Sequence, residues 1–104
     1  MKLSTALRLG RVSNLPTVSS NVLAGLALAG ALVYPAGAIA VACLSASLLY
    51  VGGMFLNDAF DADIDARERP ERPIPSGLVG RNEVFVYGAS LLLAGVVLAA
   101  SLSL

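Results

Sequence analysis

From Val12 to Asn57 the sequence carries no charged residue, and after Glu83 it carries none again. Its seven basic and seven acidic residues all fall within residues 1–11 or 58–83. A water-soluble domain of this size would scatter charge along its whole length. Stretches this long, with 57% hydrophobic residues and a mean hydropathy of +0.79, instead suit a bilayer, whose hydrocarbon is crossed by about 20 apolar residues in a helix. Inside lipid every backbone polar group needs an internal partner, and a helix supplies one. The expected fold class is an all-α membrane protein with about three transmembrane helices.

The expected organisation is a single membrane unit over residues 1–104, with candidate spans at 13–33, 38–60 and 84–104. Residues 1–11 suit a short amphipathic helix on the membrane surface, with Leu3, Leu7 and Leu9 toward lipid and Lys2, Arg8 and Arg11 toward headgroups. Lys2, Arg8 and Arg11 ahead of an apolar run also fit the start of a signal peptide. The run is too long for a cleaved apolar region and opens with Ser13, Asn14, Thr17, Ser19, Ser20 and Asn21, so a retained span is expected. Pro16 suits a helix start or a kink. The polar residues around it suggest a wet or protein-facing wall. Gly25, Ala29 and Gly30 permit close helix packing. Tyr34-Pro35-Ala36-Gly37 is an uncharged turn. Basic residues at the N-terminus and in the second loop, with none in the first, place the N-terminus and residues 61–83 in the cytoplasm.

The acidic stretch Asn57-Asp58-Ala59-Phe60-Asp61-Ala62-Asp63-Ile64-Asp65 closes the second apolar run. With a helical turn of about 100° per residue, Asp61, Asp65 and Asp58 fall near 40°, 80° and 100° from Asn57, and Asp63 near 240°. If the helix continues, three carboxylates and one amide share about a quarter of its circumference, and Asp63 points elsewhere. Like charges spaced this way repel, and at a helix C-terminus they oppose the macrodipole. Removal from water further disfavours their charged form. A divalent cation relieves all three problems. Mg²⁺ takes oxygen ligands and is usually held by one or two carboxylates plus substrate phosphates. The other reading is a solvated acidic helix end marking the water interface.

Residues 66–82 form a turn-rich loop containing Arg67, Arg69, Arg72 and Arg81. Pro70, Pro73 and Pro75 stop a helix there, and Ser76-Gly77 makes a turn. The arginines either neutralise the carboxylates or, at Arg69 and Arg72, hold the outer oxygens of a diphosphate, which a guanidinium fork matches bidentately. Gly52 and Gly53, just before the acidic stretch, allow another backbone to approach or simply serve packing.

The pattern Asn57-Asp58-x-x-Asp61-x-x-x-Asp65, followed by Arg72-Pro73-Ile74-Pro75-Ser76-Gly77, resembles the first aspartate-rich motif and adjoining loop of the UbiA superfamily of intramembrane prenyltransferases. Arg11, Asn14, Pro16 and Asn21 are similar to its N-terminal segment. The resemblance implies a Mg²⁺-dependent enzyme that transfers an isoprenoid chain from a prenyl diphosphate to a hydrophobic, often aromatic, acceptor within the lipid bilayer. It implies Asp58, Asp61 and Asp65 as catalytic residues, the same three with Asn57 as metal-binding, and Arg69, Arg72 and Asn21 as diphosphate-binding. Hydroxybenzoate, homogentisate, a chlorophyll precursor, haem and glycerol phosphate lipids all remain open as acceptors. The family fold is a bundle of about nine membrane helices with a second aspartate-rich motif across a central cavity. After Glu83 this sequence has no acidic residue. It therefore resembles the N-terminal third of such an enzyme, is expected to be a fragment or truncated form, and is expected to be inactive alone.

The alternative from another class is a non-catalytic three-span protein that binds anionic lipid or diphosphate, or serves as an assembly subunit. With no His, His-ligated zinc and haem are excluded. Cys43, the single cysteine, supports neither a disulfide framework nor a metal cluster. A net charge of zero argues against a nucleic-acid partner.

Overall fold

The computed structural model describes residues 1–30 and 33–102. Among the described residues five α-helices follow in order: α1 (Leu3–Leu9), α2 (Leu15–Leu28), α3 (Ala36–Phe60), α4 (Ala62–Glu68) and α5 (Arg81–Ser101), with a 3-10 turn at Val12–Asn14. No strand occurs among the described residues. The chain forms an elongated body of 48 × 23 × 21 Å.

Two described helices, α3 and α5, are long and apolar enough to cross a bilayer, each with a mean hydropathy of 2.1. At 1.5 Å per residue they span about 38 and 32 Å, against a hydrocarbon core of about 30 Å. Only 17% of each apolar window is buried, so neither is the enclosed core helix of a soluble protein. Leu44, Leu93, Val96 and Val97 point outward, as residues facing lipid do.

The expected first span is shorter than its hydropathy suggests. Residues 12–14 are taken by the 3-10 turn, and Pro16 sits in the first turn of α2. The helix ends at Leu28, and Gly30 has the positive φ of +71° that stops it. Fourteen helical residues reach about 21 Å. Ala31 and Leu32 of that expected span, and Ser103 and Leu104 of the third, lie outside the described residues. Gly25 has open space around it and packs nothing closely.

α3 and α5 form the main helix pair, packed through glycines. A side chain at Gly52 would meet the Gly88 carbonyl oxygen at 2.9 Å and the Leu92 nitrogen at 3.0 Å. One at Gly95 would lie 2.8 Å from Leu49, and one at Gly88 would strike Phe55 and Leu56. Close backbone contact of this kind replaces the hydrophobic driving force that helices lack in lipid. Ser45 Oγ donates to the Gly95 carbonyl at 2.8 Å and tightens the same interface. Of the two adjacent glycines ahead of the acidic stretch, Gly52 makes the contact and Gly53 faces open space.

The buried core sits at the charged end. It comprises Leu9, Phe55, Ala59, Val79 and Val84, with Ala6, Val51, Ile74 and Leu91 packed against it. Leu9 is therefore not a lipid-facing residue as expected: it is fully buried, because α1 lies against α3, while Leu3 and Leu7 stay exposed. Val79 brings the end of the proline loop into the same core. Within that loop Leu78 N bonds Pro73 O at 3.0 Å, Gly77 N bonds Ile74 O at 3.1 Å, and Gly77 takes a φ of +85°. Arg8 Nη2 donates to the Glu71 carbonyl at 3.3 Å. The N-terminal segment, the acidic stretch, the proline loop and the start of α5 thus gather at one end of the body.

Candidate functional site

The helical phase survives the end of α3. Asp61 stands between α3 and α4 with φ −88° and ψ 5°, yet the i→i−4 bonds run on. Asp61 N bonds Asn57 O at 2.9 Å, Asp65 N bonds Asp61 O at 2.8 Å, and Arg69 N bonds Asp65 O at 2.7 Å. Burial then grades across the acidic face. Asn57 is exposed, Asp61 is half-buried, and Asp58 and Asp65 are only 5% and 1% exposed. Asp63 is exposed.

Two buried carboxylates need compensation, and three arginines provide it. Arg72 Nη1 donates to Asp65 Oδ2 at 3.1 Å and to Asp58 Oδ1 at 3.5 Å. Arg69 Nη1 reaches Asp65 Oδ1 at 3.4 Å. Arg11 Nη2 donates to Asp58 Oδ1 at 3.2 Å. The result is a chain of alternating charge running Arg11, Asp58, Arg72, Asp65, Arg69. Pro73, directly after Arg72, is buried, which fixes where that guanidinium emerges from the loop.

Of the sequence-predicted residues, Asp58, Asp65, Arg69 and Arg72 come together. Asp61 lies between the two buried carboxylates, and its side chain has no partner among the described residues. Asn57 and Asn21 are exposed and make no side-chain hydrogen bond among the described residues. Arg11 is the residue that sequence reasoning misplaced. Expected at the headgroups, it turns inward, because the chain reverses there with φ +48°. Arg11 Nη1 also donates to Met54 Sδ at 3.4 Å. Tyr50 Oη donates to the Arg11 carbonyl at 3.5 Å and accepts from Asn14 Nδ2 at 3.0 Å. Tyr50, Met54 and Asp58 are spaced by four, so one stripe of α3 receives the residue. That spacing is visible in the sequence, but nothing local says that residue 11 folds back onto it.

Both buried carboxylates converge on one cationic nitrogen of Arg72. This geometry fits a site for positive charge, and its donors are all oxygen, as Mg²⁺ requires. Among the described residues no group of three or more acidic, His or Cys side chains is close enough to hold a metal on its own. Two carboxylates suit an ion that takes its remaining ligands from phosphate and water. Beside this end, Leu7, Arg8, Arg11, Val12, Ser13 and Asn14 line an open cleft of about 470 Å³. A separate apolar pocket of about 300 Å³ lies between α2, α3 and α5, lined by Leu26, Tyr34, Ala38, Ile39, Ala42 and Leu102.

Residues 18–104 match the model of the UbiA prenyltransferase family. The chain belongs to that family. The resemblance carried by the aspartate motif and its Arg-Pro-x-Pro-Ser-Gly loop is thereby borne out, and the chain is an integral membrane protein of helical type. Similar proteins include the digeranylgeranylglyceryl phosphate synthase of Ignicoccus hospitalis, 43% identical over 90% of this chain and 30% of the relative. That of Methanothrix thermoacetophila is 33% identical over 91% of this chain and 36% of the relative. That of Saccharolobus solfataricus is 27% identical over 100% of this chain and 37% of the relative. The chain thus spans about a third of the length of the curated relatives it matches. No solved structure matches it significantly.

Proposed function

We propose that this chain is the N-terminal part of a membrane prenyltransferase that moves an isoprenoid chain from a prenyl diphosphate to a glyceryl phosphate lipid. The observation that carries the reading is the pair Asp58 and Asp65, buried at the mouth of a membrane helix and converging on Arg72, in a chain of the UbiA family. The acceptor class follows the relatives, which are named digeranylgeranylglyceryl phosphate synthases. That name favours the glycerol phosphate lipid among the acceptors the sequence leaves open.

Asp58 and Asp65 would hold Mg²⁺ together with the diphosphate, with Asp61 and Asn57 on the same helix face beside them. When bound, the ion supplies neutralisation of the departing diphosphate. Arg72 and Arg69 turn their forks to the outer phosphate oxygens, a bidentate match that steadies the leaving group as negative charge builds on it. The prolines around them limit the loop's freedom and so reduce the ordering needed on binding. Asn21, on α2, would line the cavity on the diphosphate side. The arginine distribution supports a cytoplasmic placement of the charged end and the N-terminus.

The full-length protein, assayed with geranylgeranyl diphosphate and Mg²⁺, should prenylate geranylgeranylglyceryl phosphate and leave 4-hydroxybenzoate untouched. Transfer to the aromatic acid alone would reject the acceptor, and transfer to neither would reject the reading.

A further inference from the structure

Asp58 Oδ1 is shared by two guanidiniums from different parts of the chain. Arg72 comes from the proline loop and also serves Asp65. Arg11 comes from the N-terminal segment, and Asp58 is its one acidic partner among the described residues. The Asp58 carboxyl is almost fully enclosed, while the Arg11 side chain is about a third exposed at 36%. Three residues of one α3 stripe hold Arg11: Tyr50 at its carbonyl, Met54 at Nη1 and Asp58 at Nη2. Arg11 is also the one described non-glycine residue with positive φ, a conformation that persists where surrounding contacts over-determine it. Asp58 therefore anchors the chain reversal that lays α1 and Leu9 onto α3.

We propose that Arg11 is a tethered counter-ion for Asp58. It competes with a divalent cation for that carboxylate, and so links occupancy of the cation site to docking of the N-terminal segment. The proposal rests on the reading of Asp58 as a cation ligand. A cation on Asp58 would stand next to the Arg11 guanidinium, and like charges at contact distance repel strongly where water is scarce. The guanidinium then leaves the carboxylate. The side-chain contacts left to hold the segment are those through Tyr50 and the Arg8 bond to the Glu71 carbonyl, and residues 8–14 loosen. Arg11 is thus a positioning residue: it sets how readily Asp58 accepts the ion without touching the substrate.

The test is Mn²⁺ binding to the purified full-length protein, followed by electron paramagnetic resonance, for wild type, Arg11→Gln, Arg11→Lys and Asp58→Asn. Removing the competing charge should tighten Mn²⁺ binding roughly three- to tenfold in Arg11→Gln, the range expected for one partly screened neighbouring charge. Arg11→Lys should stay near wild type, and Asp58→Asn should bind weakly. A structural role alone would loosen binding or leave it unchanged. Hydrogen exchange of amides 8–14 in the wild-type protein covers a variant that fails to fold: it should quicken when Mn²⁺ is added. Wild-type binding that needs Asp58, with no tightening in Arg11→Gln and no change in exchange, would overturn the competition and leave the cation site standing. Binding indifferent to Asp58→Asn, or absent from wild type, would reject the cation site and the competition with it.

Discussion

Arg72 Nη1 lies 3.1 Å from Asp65 Oδ2 and 3.5 Å from Asp58 Oδ1, so one guanidinium joins two carboxylates seven residues apart on consecutive helices. The bridge crosses the break at Asp61 and holds α4 in phase with α3. Arg69, by contrast, makes an i,i+4 pair with Asp65 from a side chain that is 49% exposed.

That difference in burial separates the two arginines. Arg72→Ala leaves each of two enclosed carboxylates with a single arginine, Asp58 with Arg11 and Asp65 with Arg69, and should cost about 2 kcal/mol of stability, less than a buried charge left with no partner. Arg69→Ala removes a half-exposed pair and should cost less than about 1 kcal/mol. Denaturant titration of the two variants in detergent micelles measures both. Equal losses would show that the bridge contributes no more than a surface pair.

Adjacent glycines should behave oppositely. Gly52→Ala drives a methyl group onto the α5 backbone, at 2.9 Å from the Gly88 carbonyl oxygen. Backbone cannot step aside as a side-chain tip can, so about 1–3 kcal/mol should be lost. Gly53→Ala meets open space and should be neutral or stabilise by up to about 1 kcal/mol, through helix propensity. Thermal unfolding of both variants decides it, and a harmless Gly52→Ala would contradict the close α3–α5 packing.

Much of this arrangement is legible in the sequence, because hydropathy and charge act locally. The apolar runs mark α3 and α5. The spacing of Asp58, Asp61 and Asp65 places them on one face, and the 100° rule separates Asp63 from them. What escapes the sequence is tertiary. Nothing near Arg11 reveals that its backbone enters the left-handed region and turns its guanidinium inward. Nothing near Leu9 distinguishes a lipid-facing from a core leucine. Hydropathy also overstates the first span, because the end of α2 depends on backbone conformation at Gly30 rather than on a polar residue.

The cytoplasmic placement of the charged end is open to a labelling experiment. With Cys43→Ser as background, a cysteine replacing Ser76, which is exposed in the proline loop, should react with a membrane-impermeant maleimide only after the membrane is opened. Reaction in sealed cells would invert the topology and remove the positive-inside argument.

The central claim is that one face of the α3–α4 junction performs the chemistry. Prenyl transfer by the full-length protein, at matched expression and with folding checked by gel filtration, tests it most directly. Asp58→Ala, Asp61→Ala and Asp65→Ala should each lower the rate at least about a hundredfold, because leaving-group stabilisation of this kind is worth several kcal/mol. Asp61→Asn, which keeps shape and removes charge, should fall as far. Asp63→Ala should keep most of the activity, since that side chain is exposed on the far side of the helix. A folded Asp63→Ala protein as impaired as Asp61→Ala would contradict the account.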